Sequence, residues 1–423
     1  MLIAITIVFV IGYIMIATEH SIKIDKAASA LITGVLCWLL FYFSGHSHEE
    51  SERLLLENLG EISSILFFLL GAMTIVEVVD SHNGFQLVTG MVKTRSKTRI
   101  LLLISILTFF LSAVLDNLTT SIVMTSLCRK LLSDRNDRLW FASMVIIAAN
   151  AGGAWSPIGD VTTTMLWIGD QITAGNIVIR TFIPSLVVVI LPLLILIKKF
   201  KGQTIREISQ TSSSHVHKDS NIMLFTGVGL LISVPVFKTL THMPPFMGML
   251  IALGVIWVVS SLLHLKKHPD ERHRFSVASA LRKVDTPSIL FFLGILLAVS
   301  ALGAIGALSG LAGFIATYTS NMYITGTLLG IFSAIIDNVP LVAAAQGMFS
   351  LEMYPTDHAF WQFLALSAGT GGSAIIIGSA AGVAVMGIEK IDFFWYLKRI
   401  SLLALAGFFA GLGTYILQQW LMA

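Results

Sequence analysis

Charged residues and cysteines are scarce in this sequence. Asp, Glu, Lys and Arg make up 12% of the 423 residues, against roughly 25% in a soluble domain, which excludes an ordinary water-soluble chain. The two cysteines, Cys37 and Cys128, lie in apolar surroundings, so neither a disulfide framework nor a cysteine-rich metal site is indicated. The sequence also lacks a P-loop, a Gly-x-Ser-x-Gly motif and a zinc signature. We therefore expect no ATP-driven pump, no enzyme, no bound cofactor and no nucleic-acid partner.

Apolar residues dominate the chain instead. They account for 55% of it, and the mean hydropathy is +0.85. Many apolar runs reach the ~20 residues that a helix needs to cross ~30 Å of hydrocarbon, and they do not alternate like the ~10-residue strands of a membrane barrel. This predicts an all-α polytopic membrane protein in the lipid bilayer of the inner (plasma) membrane. Uninterrupted spans are predicted at 3–17, 28–44, 62–80, 180–197, 222–238, 245–263, 287–305 and 399–418.

Two further apolar runs, at 100–131 and 323–350, each contain an Asp-Asn pair. The sequence S-A-V-L-D-N at 112–117 returns as S-A-I-I-D-N at 333–338, 221 residues later. Each limb beside the pair has only about 15 residues, too few to cross the bilayer. The pattern therefore predicts two re-entrant helical hairpins with the pairs at their tips. Such irregular backbone is tolerated at membrane depth only where it faces protein or a wet cavity.

Two more long runs are broken by glycine-rich segments. The run at 139–170 contains N-A-G-G-A-W-S-P-I-G-D, from Asn150 to Asp160, and the run at 359–388 contains G-T-G-G-S at 369–373. Glycine and proline do not continue a helix comfortably, so each run is predicted to be a broken helix. Ser156 before Pro157 is typical of an N-cap followed by a first-turn proline, which predicts that a half-helix starts there.

The repetition extends over the whole chain, because S-I-L-F-F-L occurs at both 64 and 288. We therefore predict a first repeat at 1–197, a cytoplasmic linker at 198–221 and a second repeat at 222–423. Each repeat would hold five spans, and this odd number inverts the second repeat relative to the first. With the N-terminus outside, all but three of the 27 lysines and arginines (Arg53, Arg180 and Lys238) fall in cytoplasmic segments. Both termini are predicted outside the cytoplasm.

Inverted repeats with broken helices are typical of secondary transporters, whose site lies near the bilayer middle at the repeat interface. The tips supply carboxylate, amide and hydroxyl oxygens suited to a small hard cation: Asp116, Asn117, Thr119, Ser333, Asp337 and Asn338. An Asp-Asn pair can also serve only as a cap and turn. A charge at membrane depth, however, costs ~2.5 to 3.5 kcal/mol even on insertion scales, and it indicates function.

Asp116 and Asp337 are expected to meet at the site, where two desolvated carboxylates cannot both stay ionised without a cation. The ion-free site would then hold protons that the cation displaces. If both carboxylates release protons for one monovalent cation, exchange moves net charge and is favoured at alkaline pH. Asp160 can replace either member of this pair, or it can merely complement a helix dipole. Glu77, near the cytoplasmic end of its span, is a further candidate for proton coupling.

Asn150, Ser373 and Ser379 at the breaks can take part in transport, or they can simply satisfy backbone groups. Histidines in the predicted loops are expected to be solvated: His46, His48, His215, His217, His264, His268 and His273.

The D-N-L-T-T-S tip, the N-A-G-G-A-W-S-P-I-G-D-V-T-T-T break and the D-N-V-P tip resemble those of the NhaD-type sodium/proton antiporters of the ion transporter superfamily. The resemblance implies exchange of cytoplasmic Na⁺ or Li⁺ for external H⁺. It also implies a role in salt and alkaline tolerance. By analogy with other members of the superfamily it also implies a homodimer with scaffold and transport parts and elevator-like movement. Matching motifs imply that the transport residues are Asp116, Asn117, Thr119, Asn150, Asp160, Thr162, Thr163, Ser333, Asp337, Asn338 and Ser373, with Na⁺ held by Asp116, Asn117, Asp337 and Asn338.

Other functions stay open at this point. The dicarboxylate carriers of the same superfamily resemble Ser-Asn-Thr at both tips, whereas this chain has Asp in place of Ser. That difference argues against an anionic substrate, but a sodium-coupled di- or tricarboxylate symporter remains the alternative. A membrane enzyme or channel subunit is the third possibility.

Overall fold

The computed structural model describes residues 1–45, 47–84, 94–205, 218–265, 275–308, 310–311, 319, 321–334 and 338–422. Its described residues form helices and no strands; the one extended pairing is an isolated bridge between Ser96 and Thr204. The helices are α1 (Leu2–Ala17), α2 (Glu19–Ile22), α3 (Lys26–Tyr42), α4 (His48–Ser81), α5 (Lys97–Leu115), α6 (Asn117–Leu131), α7 (Arg135–Gly153), α8 (Val161–Ile168), α9 (Ala174–Phe200), α10 (Lys218–Thr241), α11 (Pro245–Leu263), α12 (Val277–Leu281), α13 (Thr286–Ala304), α14 (Met322–Phe332), α15 (Asn338–Met348), α16 (Ala359–Gly371), α17 (Ala380–Glu389), α18 (Phe393–Arg399) and α19 (Ser401–Met422).

Seven helices of the described part are long and apolar enough to cross a bilayer: α4, α5, α9, α10, α11, α13 and α19. Helices α1, α3, α14 and α17 are apolar but shorter. This confirms an all-helical polytopic membrane protein. The span predicted at 62–80 is only the second part of α4, which has 34 residues. Its polar first turns stay helical because the Ser47 hydroxyl caps the Glu50 amide and two glutamates lie at the positive end of the helix dipole.

Several of the closest helix pairs join the two halves of the chain. Helix α3 packs along α13, α11 packs on α4, and α9 packs along α19. The α3–α13 contact is close because Gly34 and Gly294 each bring a helix backbone against the other helix. Trp38 of α3 adds hydrogen bonds from its indole nitrogen to the Leu297 carbonyl and the Ser300 hydroxyl, at 3.0 and 3.2 Å.

The run at 100–131 forms a helical hairpin whose limbs are α5 and α6. Its turn is Asp116 alone, with a φ of 79°, a backbone region that a non-glycine residue adopts only at a cost of about 1 to 3 kcal/mol. Limb α5 has 19 residues rather than about 15, which corrects that expectation. The second run forms α14 and α15, and its tip residues 335–337 lie outside the described part of the chain.

Both broken runs are helices interrupted by a short irregular segment. Helix α7 ends at Gly153 and α8 begins at Val161, while α16 ends at Gly371 and α17 begins at Ala380. The expectation that Ser156 caps the half-helix is wrong. Asp160 holds the N-cap position of α8, and the Ser156 hydroxyl instead donates to the Ala113 carbonyl at 2.5 Å. A local cap pattern could not reveal this bond, which depends on the hairpin lying beside the break.

Each break touches a hairpin limb through glycine. A Cβ added at Gly152 would overlap the Phe109 carbonyl oxygen of α5, and one added at Gly371 would overlap the Gly330 carbonyl oxygen of α14. Both contacts are with backbone, which cannot move aside as the end of a flexible side chain can. Small residues are therefore required where these helices cross.

We expect Gly371→Ala to destabilise the protein strongly, because the added methyl group forces α16 and α14 apart. Overpacking of this kind typically costs about 1 to 3 kcal/mol. Thermal unfolding of the purified protein should show a clearly lower Tm, whereas Gly413→Ala on α19, where a Cβ meets open space, should leave Tm unchanged. Equal Tm values for the two variants would contradict this packing.

His264 is buried, so the expectation that it is solvated is wrong. It follows α11 directly, and its Nε2 lies 2.7 Å from the Nε2 of His82, which follows α4 and is also buried. Both rings contact the Phe275 ring at about 5 Å. His48 is exposed as predicted, and the other five predicted loop histidines lie outside the described residues. His264 is buried because its loop meets the loop that contains His82. The sequence of either loop alone does not show this contact.

Candidate functional site

Residues from both halves of the chain line one cavity of about 50 Å³. Its charged and amide groups are Asp116, Asn117, Asp160 and Asn338, and most of its remaining lining is apolar and comes from α4, α10, α11 and α13. One water needs 10–15 Å³ of such space, so the cavity has room for a small cation with part of its water shell. The described residues that line it include no lysine, arginine or histidine. Its fixed charges are therefore acidic.

Asp116 joins the two limbs of the first hairpin and caps the second. One carboxylate oxygen accepts the Thr119 amide at 2.7 Å, and the other accepts the Thr119 hydroxyl at 2.9 Å. Asp116 thus acts as a helix cap while its side chain lines the cavity. A carboxylate has about four acceptor positions, so these two bonds leave capacity for a cation.

Asp160 brings the first break to the second hairpin. Its side chain is only 2% exposed, and Oδ2 accepts the Asn338 amide nitrogen at 3.1 Å. The corresponding position in the second break is Ser379, whose hydroxyl caps the Gly382 amide. In α16, Gly369 lies where α7 has Asn150, and its missing side chain leaves room beside the Asp160 carboxylate. Asp160 and Ser379 thus hold the N-cap positions of the helices after the two breaks with nearly the same backbone angles but different polar groups.

Asn150 lies at the centre of a buried amide and hydroxyl network. Its Oδ1 accepts the Asn117 amide nitrogen at 3.1 Å, and its own amide nitrogen donates to the Ser373 and Ser379 hydroxyls, both at 2.9 Å. The residue is fully buried. It therefore connects the first tip to the second break, and it holds Asn117 in place beside the cavity.

Serines hold both hairpins against their breaks in the same way. The Ser112 hydroxyl donates to the Ala149 carbonyl at 2.5 Å, and the Ser333 hydroxyl donates to the Ala368 carbonyl at 2.7 Å. Ser333, predicted as a cation ligand, thus has a backbone partner here. Its twin Ser112 was not predicted, although the repeat S-A-x-x-D-N pointed to it.

The threonines after Asp160 have different environments. The Thr163 hydroxyl donates to the Asp160 carbonyl at 2.9 Å, and the buried Thr162 hydroxyl has no partner among the described residues. Thr164 lines the cavity, and its hydroxyl donates to the Pro157 carbonyl at 3.0 Å. Sequence reasoning missed Thr164, because the T-T-T run does not show which hydroxyl faces the cavity.

One predicted residue, Glu77, is not part of this arrangement, and a second, Asp337, is not among the described residues. Glu77 does not line the cavity and instead forms a 2.9 Å ion pair with Lys283. Asp337 lies outside the described residues, so its role stays a prediction. Among the described residues, no cluster of three or more His, Cys, Asp or Glu side chains could hold a metal ion. Among the described residues that line the cavity, the carboxylate and amide oxygens available to a cation are those of Asp116, Asn117, Asp160 and Asn338.

Comparison with known proteins identifies the family. The model of the family described as CitMHS, citrate transporter, matches residues 13–371. "Sodium/proton antiporter 1" of Arabidopsis thaliana is 45% identical over 98% of this chain and 72% of its own length. "Na(+)/H(+) antiporter NhaD" of Alkalimonas amylolytica is 29% identical over 98% of this chain and 90% of its own length. The chain therefore belongs to the citrate transporter (CitMHS) family and to the NhaD-type sodium/proton antiporters.

Proposed function

We propose that this protein is a secondary transporter that exchanges cytoplasmic Na⁺ or Li⁺ for external H⁺. The observation that carries this proposal is the cavity between the hairpin and break elements. It joins two carboxylates and two amides, and no basic side chain among the described residues lines it. Relatives named as sodium/proton antiporters support the same activity.

Exchange follows from competition at the carboxylates. Asp116 and Asp160 share one cavity with little water, where two ionised carboxylates repel each other and are poorly solvated. A proton or a cation relieves this repulsion, and the two occupants exclude each other. Asp337 is the second candidate partner of Asp116. Na⁺ entering from the cytoplasm would displace protons, and protons entering from outside would displace Na⁺.

A citrate-like anion fits this cavity poorly. The N-termini of α6 and α8 are positive dipole ends, which could attract an anion. However, Asp116 and Asp160 already occupy their N-cap positions. An anionic substrate would therefore meet two carboxylates rather than free helix ends.

Everted membrane vesicles test the proposal. After acidification of the vesicle interior, added NaCl or LiCl should dissipate the pH gradient, measured by recovery of acridine orange fluorescence. Choline chloride is the control for anion and ionic-strength effects. A response to sodium only when citrate or succinate is present would support the carboxylate symporter instead. No response to any of these additions would refute both transport functions.

We further propose two inverted repeats, at 1–197 and 222–423, joined by a cytoplasmic linker at 198–221, with both termini outside. Contacts between loops support this arrangement, because each joins segments assigned to the same side. Asp170 pairs with Lys238 at 2.9 Å on the external side, and Glu77 pairs with Lys283 at 2.9 Å on the cytoplasmic side. Arg138 likewise reaches the buried Glu389 at 3.1 Å on the cytoplasmic side.

Cysteine labelling tests the inverted arrangement. In a Cys37→Ala, Cys128→Ala background, Ser133→Cys should react with a membrane-impermeant maleimide only from the cytoplasm, and Thr356→Cys only from outside. Both positions are exposed in loops, so access depends on the side of the membrane. Reaction of both from one side would contradict the inversion.

Elevator-like movement in a homodimer fits the position of the cavity. Its polar groups come from the hairpins and breaks, whereas α4, α10, α11 and α13 supply mostly apolar lining. The hairpins and breaks would form the transport part and the apolar helices the scaffold. Lys238 of α10 bonds both the Trp167 carbonyl and Asp170, and this contact would have to open when the transport part moves.

Electrogenic exchange, favoured at alkaline pH, is the finer part of the proposal. If two protons enter for each Na⁺ that leaves, an inside-negative potential of 100 mV contributes about 2.3 kcal/mol for the net charge. In potassium-loaded liposomes with valinomycin and no pH gradient, the imposed potential should therefore drive sodium efflux. Sodium flux should increase as external pH rises from neutral. Absence of potential-driven flux would indicate one-for-one exchange.

A further inference from the structure

A second cavity lies beside the cation cavity and opens on the surface between α9 and α10. It is a groove of about 510 Å³ between the end of α5, the segment at 155–158, the start of α9 and the helix α10. This volume is in the range of small-molecule sites. The hydroxyls that line it, those of Ser156 and Thr239, donate to the backbone carbonyls of Ala113 and Pro235. The Trp155 indole nitrogen, buried and without a partner among the described residues, is the one other polar side-chain group of the lining, so the groove offers water few hydrogen bonds.

The mouth of the groove lies on the lipid-facing surface. Ile232, Val236 and Leu240 border it along one face of α10, and their side chains are 50%, 52% and 76% exposed. Helix α10 is one of the seven bilayer-length helices. On the α9 side, Ile179 and Ile183 are also exposed. Apolar side chains with this exposure are stable only against hydrocarbon, so the groove is continuous with the acyl-chain region of the bilayer.

The inner wall of the groove is shared with the cation cavity. Val114 and Ile158 line both spaces. Val114 is two residues before Asp116, and Ile158 is two residues before Asp160. Whatever fills the groove therefore supports the backbone that carries both carboxylates. If the groove held water, only these two side chains would separate that water from the cation cavity on this side.

We propose that one acyl chain of a membrane phospholipid occupies this groove and completes the lateral wall of the cation cavity. Lipid tails are as apolar as most of the side chains around them, and an acyl chain requires no hydrogen bonds from the groove. The inference does not depend on the transported substrate. Its test uses no transport measurement, so it can fail independently of the proposed exchange.

Two residues of the groove make the test specific. Trp155 lines the groove and provides a fluorescent reporter. Gly175 also lines it, and a Cβ there would meet open space, so Gly175→Leu should fill the groove without moving the backbone. Gly229→Leu on α10 is the matched control, because a Cβ there also meets open space and the residue does not line the groove. Trp420, on α19, does not line the groove and its side chain is 75% exposed, so it serves as the reporter for lipid around the protein.

The experiment is quenching by phospholipids brominated in the middle of the acyl chain, in reconstituted protein. The Trp155 signal is the difference between the wild-type protein and Trp155→Phe. Brominated lipid should quench this signal at least twofold, Gly175→Leu should remove most of that quenching, and Gly229→Leu should not. The Trp420 signal, obtained from Trp420→Phe, should be quenched equally in all three proteins. An unquenched Trp155, or quenching unchanged by Gly175→Leu, would overturn the proposal.

Photocrosslinking of the wild-type protein provides a second readout that needs no groove variant. A phospholipid with a diazirine in its acyl chain should label residues 155–158 or 174–178 as well as the outer surface of α10. Mass spectrometry of the digested protein locates the adducts. Labelling of the outer surface alone, with none in these two segments, would show that no acyl chain enters the groove.

Discussion

Asp116→Asn is expected to reduce sodium-dependent proton exchange to the level of vesicles without the protein, while the protein still folds and inserts. The amide has nearly the size of the carboxylate, and its oxygen can still accept a hydrogen bond from the Thr119 amide, whose nitrogen lies 2.7 Å from Asp116 Oδ1. The hairpin tip should therefore persist. An amide cannot release a proton when a cation arrives, so the exchange step itself is lost.

Two matched variants separate transport from capping. Thr119→Ala removes the 2.9 Å hydroxyl bond to Asp116 and keeps the charge. A hydrogen bond to an ionised carboxylate contributes about 1.5 to 3 kcal/mol, so the KM for Na⁺ should rise by about 10- to 150-fold with Vmax retained. Asp134→Asn makes the same change at another helix cap, that of α7 in the loop after α6, and should exchange normally. Exchange by Asp116→Asn at the wild-type rate would show that Asp116 is only a cap.

Asp160→Asn is the second substitution expected to abolish exchange. Asp160 is nearly fully buried, lines the same cavity as Asp116 and accepts the Asn338 amide nitrogen. The substitution removes one of the two described carboxylates at the cavity and leaves the backbone of the break in place. Antiport in vesicles should fall to background for both Na⁺ and Li⁺, with an unchanged elution profile of the purified protein.

The control for this prediction is Asp170→Asn. Asp170 lies only ten residues further along the chain and pairs with Lys238, but its side chain is 71% exposed and does not line the cavity. Its substitution should leave the KM for Na⁺ unchanged. If Asp160→Asn retains exchange, Asp160 is not needed for exchange. The second exchanging carboxylate beside Asp116 would then be Asp337.

The sequence was most informative where apolar runs are interrupted. The Asp-Asn pair at 116–117 and the glycines at 152–153 break runs that otherwise continue as helix, and the structure breaks them there. Pairing the two copies of each motif also indicated which elements would be equivalent. A break in a helix depends on residues that are adjacent in the chain, so the sequence alone can reveal it.

Contacts between distant segments were not predictable in the same way. Sequence alone placed Asn150 at a break but could not show that it bonds Asn117 and two serines of the other half. The Ser156 cap and the solvated His264 were wrong for the same reason, since a hairpin and a second histidine supply their real partners. Glu77 kept its predicted position on α4, but an ion pair to Lys283 engages it.

The central claim is that a cation and a proton compete for Asp116 and Asp160. It is tested most directly by the release of protons when purified protein in weakly buffered detergent solution receives NaCl. Because the two ligands exclude each other, Na⁺ binding must lower proton binding. Wild-type protein should release protons on addition of NaCl but not of choline chloride, and Asp116→Asn and Asp160→Asn should release fewer. If wild-type protein binds Na⁺ without releasing protons, or releases them only with citrate, the account is contradicted.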